Sequence, residues 1–196
     1  MPPRHPVRFF LRDATAACHA RVDAAYGRFD LADRRSYAAF LTAHARVLPP
    51  LEAMLDAAAL WPEWVARAPF LIRDLAAFGI PRPPAMTLPA IPAMSTPAER
   101  WGLLYVLEGS RLGGAMLARQ VPGDWPTAYL AAAHQGGSWA RFGDAIEAAG
   151  ADADPAWGQA VLAGAERGFA LFEQAARIEE NGVVGAAGIE PATPPV

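Results

Sequence analysis

Residues 101–121 read WGLLYVLEGSRLGGAMLARQV, a helix by pattern that carries Gly109, Gly113 and Gly114 in its interior. Each mid-helix glycine costs roughly 1 kcal/mol relative to alanine, and the chain uses alanine freely elsewhere. Gly109 and Gly113 are four apart and share a face, with Gly114 beside them. That face is bare backbone. Either another helix packs very close to it, or something flat lies against it.

The rest of the chain narrows the choice. Its 196 residues, 53% of them hydrophobic, suit one domain with a sizeable core. No apolar run approaches the ~20 residues of a transmembrane helix. The start, MPPRHPVRFFLRDAT, is basic but lacks a signal-peptide core. The single cysteine, Cys18, excludes a disulfide framework and any multi-cysteine metal site, so a cytoplasmic setting is expected. Net charge is −3 and all 17 basic residues are arginine. No basic stripe with interleaved aromatics suggests nucleic acid.

Taken in order, residues 7–26 read as a first helix, its inner face marked by Leu11, Thr15, Cys18, Val22 and Tyr26. His19 borders that stripe, and Arg12 lies two turns before it. A second helix spans 33–48, with Asp33 or Ser36 as N-cap and His44 on the apolar face as a structural residue. Pro49-Pro50 is expected to break or kink it before the pattern resumes over 51–59. A helix near 68–78 ends at Gly79, and a proline-rich loop covers 80–95. Thr96, Pro97 and Glu99 then form a capping-box start for the glycine-bearing helix, which stops by Pro122. Residues 125–134 are ambiguous, 138–149 read as a helix, and Asp154-Pro155 opens the last long helix. The pattern predicts an all-α chain, with one helical domain over 1–180 and a disordered tail over 181–196.

Several chemistries are absent. The chain has no dinucleotide or P-loop glycine motif, no H-E-x-x-H, and no nucleophile elbow around Ser110. Cys18 and His19 are helix neighbours about 100° apart, poor partners for nucleophilic catalysis, and Cys18 reads as an inert core thiol. Two features remain: a histidine on the first helix and a later helix stripped to backbone. Together they could sandwich a planar macrocycle, with His19 binding iron from one side and the glycine face leaving room only for a small gas. Arginines at the edge would pair with its carboxylates.

LRDATAACHARVD resembles the heme-ligand helix of heme oxygenases. It supplies Leu11, Thr15, His19 and Asp23 at that family's spacing of Leu, Thr, His and an acidic residue. LEGSRLGG resembles the family's distal-helix motif, with Gly109, Gly113 and Gly114 matching its glycines. YVLEGSRLGG is most similar to the bacterial, bacteriophytochrome-associated branch. The resemblance covers about residues 8–178. It implies the heme oxygenase helical fold, with His19 as the iron ligand and heme as both cofactor and substrate. Iron-bound O2 and electrons from an external reductase or ferredoxin would open heme to biliverdin, CO and ferrous iron. The biliverdin could serve a bacteriophytochrome or iron acquisition. Gly109, Ser110, Gly113 and Gly114 would form the distal face; Arg12, Thr15, Arg111 and Arg141 are candidates around the cofactor. Where better-known members carry an aspartate after the first distal glycine, this chain has Ser110. That departure keeps open a heme-binding or heme-handling protein without turnover. A thiaminase-like helical enzyme or a scaffold without cofactor is the third reading.

Overall fold

The computed structural model describes residues 6–86, 94–132, 136–154 and 156–187; His5 and His134 lie outside them. Among the described residues there are eight helices and no strand, as the all-α reading expects. They are α1 (Val7–Ala14), α2 (Ala16–Tyr26), α3 (Arg34–Ala58), α4 (Ala68–Ala77), α5 (Pro97–Ala118), α6 (Ala128–Ala131), α7 (Ser138–Gly150) and α8 (Ala156–Ala187). The backbone of α8 is helical past residue 180 to Ala187; the rest of the expected tail lies outside the described residues.

Helix α8 is the spine, packing along α5, α3 and α2. Its crossing with α5 is made possible by two glycines. A Cβ on Gly102 would stand 1.9 Å from the Val161 carbonyl oxygen, and one on Gly164 2.0 Å from that of Glu99. Removing both side chains lets the backbones meet. Leu103, Leu104 and Leu107 of α5 and Val161 and Ala165 of α8 are buried around this crossing. Each large apolar side chain there contributes about 1.5–3 kcal/mol.

The start of α5 is the capping box read from the sequence. Thr96 Oγ1 accepts the Glu99 N–H at 3.2 Å and the Glu99 carboxylate accepts the Thr96 N–H at 3.1 Å. The shorter helices are capped from a distance by buried acids. Glu52 of α3 accepts the N–H groups of Arg67 and Ala68 at the start of α4, at 2.8 and 2.7 Å. Asp74 of α4 accepts the Tyr129 N–H at 2.8 Å within α6. These bonds satisfy the free donors of a helix N-terminus.

Two expectations are corrected. The helix over 7–26 is interrupted at Thr15, whose hydroxyl donates to the Leu11 carbonyl at 2.7 Å. Such back-bonding bends a helix. Conversely, α3 runs through Pro49 and Pro50 without a break. Pro50 lacks the N–H that would have met the Arg46 carbonyl, and the Met86 N–H donates to that carbonyl instead, at 2.8 Å.

Candidate functional site

A cavity of about 620 Å³ opens between α2 and α5, which make no substantial contact with each other. The size is that of a cofactor site. His19, Val22 and Asp23 of α2 form one wall, and Gly109, Ser110 and Gly113 of α5 form another. Arg8 and Arg12 come from α1, and Phe169 from α8.

The His19 side chain is 63% exposed, so it stands in the cavity and is no core residue. Its Nδ1 lies 2.9 Å from the Asp23 carboxylate, and the ring edge meets Phe169 at 5.8 Å. An engaged Nδ1 fixes the tautomer and leaves Nε2 as the ring nitrogen that can ligate a metal. Among the described residues no group of three His, Cys, Asp or Glu side chains could hold a bare metal ion. A single imidazole in a roomy pocket instead suits a metal whose other ligands come from a macrocycle.

The three glycines of the opening stretch divide between its two explanations. A Cβ on Gly113 would meet nothing within 4 Å, and one on Gly109 would touch only the Trp139 ring, at 3.7 Å. These two leave bare backbone on the cavity. Gly114 also borders it, but a Cβ there would lie 2.6 Å from the Leu130 carbonyl oxygen. Its missing side chain admits the backbone beside α6.

The predicted basic and polar partners also separate. Arg12 lines the cavity, its guanidinium turned to Asp13 at 2.9 Å. Thr15 is buried and off the cavity wall, bound to the Leu11 carbonyl. Arg111 is buried, with Glu108 at 3.0 Å and the Ala132 and Val65 carbonyls on its other nitrogens. Burial and then the charge of Arg67 push its guanidinium below the ordinary value. Arg141 pairs with Glu63 at the surface, at 2.8 Å. Thr15, Arg111 and Arg141 therefore do not face the cavity; helix phase alone could not show that neighbours would claim them.

Two arginines were missed. Arg8 stands four residues before Arg12, on the same face of α1, a spacing legible in the sequence. Arg67, just before α4, is 3% exposed yet reaches the cavity wall. Its Nη2 donates to Ser110 Oγ at 2.6 Å and to the Leu107 carbonyl at 3.1 Å. Ser110 in turn donates to the Leu107 carbonyl at 2.7 Å. Nothing in the sequence pattern marks Arg67.

The same end of the cavity holds His44, with Nδ1 2.9 Å from the Phe40 carbonyl and the ring between Tyr26 and Phe40. Burial pushes it down to about 4, against that backbone bond and aided by Arg67, so it is neutral at pH 7 and donates from Nδ1. The unfolded chain then takes up this proton first. Stability is complete above about pH 6.5 and falls as the pH drops toward 4, by up to about 1.4 kcal/mol per unit from this group. Urea melts at pH 7 and pH 5 are expected to show a larger acid loss for the wild type than for His44→Leu. Equal losses would contradict the burial of a neutral ring.

No family model matches the chain. Over 156 residues, 71% of this chain and 88% of the relative, it is 34% identical to a curated protein of Xanthomonas campestris pv. campestris (strain 8004) that is named heme oxygenase. No described helix is long and apolar enough to cross a membrane.

Proposed function

The chain belongs to the heme oxygenase family, and from that premise we propose that it opens heme to biliverdin, CO and ferrous iron. The observation that carries this reading is the pairing of two walls: His19 with Nδ1 held by Asp23, and the uncovered backbone at Gly109 and Gly113. Bound heme supplies the iron that activates O2 and the ring that is oxidised.

The protein's residues supply the rest. Asp23, holding Nδ1, would leave the Nε2 of His19 to ligate the iron. Arg8 and Arg12, which line the cavity at the α1 edge, would hold the propionates as charge-assisted donors. The bare α5 backbone leaves a space that a small gas can enter and a side chain would fill. Electrons come from an external reductase or ferredoxin, and a bacteriophytochrome is a candidate receiver of the biliverdin.

The test is the visible spectrum of the 1:1 heme complex, followed with ascorbate or a ferredoxin system as reductant. The expected result is a histidine-ligated heme band that decays while biliverdin absorption grows and CO is released. One observation favours a second reading: the Ser110 hydroxyl proton is engaged by the Leu107 carbonyl, where a proton-delivering carboxylate would hold water. A heme band that survives reduction in air would establish that reading, heme binding without turnover.

A further inference from the structure

The guanidinium of Arg67 is a buried cation with no carboxylate partner among the described residues. Glu52 is near enough to feel the charges of Arg67 and Arg111, but it forms no ion pair with the Arg67 side chain; its hydrogen bonds go to the backbone N–H groups of Arg67 and Ala68. The hydrogen bonds of the side chain to described residues both run from Nη2, to Ser110 Oγ and the Leu107 carbonyl. The Nε–H is buried without any partner, and no bond to a described residue holds Nη1. The aromatic face of Tyr129 lies 5.3 Å from the guanidinium carbon, and the nearby His44 ring is neutral. A buried charge left this way is costly, and tying the α3–α4 connection to α5 needs no charge. A partly hydrogen-bonded guanidinium in a residue that lines the cavity suits a ligand that brings negative charge.

We propose that Arg67 is the charged donor of this pocket: Ser110 and the Leu107 carbonyl aim its guanidinium at a small anionic ligand on the heme iron. The inference rests on the heme reading given above. Ser110 then takes the role of a positioning residue for a cation, in place of an acid. A cation here favours anionic over neutral ligands of equal size, because a charge-assisted hydrogen bond in a low-dielectric site is about twice as strong as a neutral one.

The experiment titrates azide, and separately imidazole, into the ferric heme complexes of the wild type, Arg67→Met, Arg67→Lys and Ser110→Ala. Infrared spectra of the ferrous CO complexes add a readout of local charge. Arg67→Met is expected to weaken azide by roughly ten- to a hundred-fold, leave imidazole unchanged and raise the C–O stretch. Arg67→Lys, which keeps the charge, should retain most of the azide affinity, and Ser110→Ala should lose part of it. Should Arg67→Met fail to fold, Ser110→Ala carries the same azide-to-imidazole comparison, with Arg67→Lys as the charge-retaining control. Azide affinity indifferent to Arg67→Met and to Ser110→Ala, or azide and imidazole falling together, would overturn the proposal while leaving the heme reading intact. A wild type that binds no heme would overturn both.

Discussion

His19→Ala is expected to abolish the histidine-ligated heme spectrum while helix content and the apo melting curve stay close to wild type. The side chain is 63% exposed, its only ion pair among the described residues is the exposed contact with Asp23, and its aromatic contact is one edge on Phe169. Exposed ion pairs contribute about 0–1 kcal/mol, so little stability depends on the ring. The proposed bond to iron, in contrast, has no substitute nearby among the described residues. The other described histidine, His44, has Nδ1 bound to the Phe40 carbonyl and is packed among Tyr26, Phe40, Tyr129 and Phe172. Exogenous imidazole should enter the space left by the alanine and restore the spectrum. Visible spectra with and without imidazole, beside circular dichroism, test this. Loss of the same spectrum in His44→Ala, His5→Ala or His134→Ala, with His19→Ala unaffected, would refute the assignment.

The order of helices was legible because each is written in local terms. Periodicity, the Thr96–Glu99 box and Gly79, whose φ is +71°, all act within one or two turns. The errors lie where distant groups intervene. Pro49-Pro50 reads as a break or kink; the helix continues, and the Met86 N–H sits on the carbonyl that the helix gives up. Thr15 is buried on the inner face as read, and the interruption of the helix there, through a bond within one turn, is the local miss that periodicity does not reveal. Arg111 and Arg141 read as free cations, yet whether an arginine is available depends on acids and carbonyls brought by other segments. Glu108 is three residues from Arg111, but Glu63 is 78 from Arg141. Arg67 is the converse, a charge that the fold buries at the cavity and leaves underpaired. Local physics places backbone well, while the polar lining of a cavity is decided by tertiary contacts.

The glycines of α5 allow that distinction to be tested within one helix. Gly113→Leu and Gly102→Leu make the same chemical change eleven residues apart, and local propensity predicts a gain of under ~1 kcal/mol for each. At Gly102 the new Cβ would stand 1.9 Å from a backbone carbonyl of α8. Neither helix can retreat without opening the buried crossing, so the apo protein should lose at least the ~1–3 kcal/mol typical of overpacking, or fail to fold. At Gly113 nothing lies within 4 Å of the new Cβ, so the apo protein should melt at or slightly above the wild-type temperature. The leucine then occupies the space that heme and O2 would share. Heme affinity or O2 binding should fall and little biliverdin should form. Apo thermal melts set beside heme titrations and single turnovers of the two variants separate the cases. If Gly113→Leu destabilises the apo protein while heme affinity and turnover are unchanged, the glycine serves helix packing, and α5 is not the distal face.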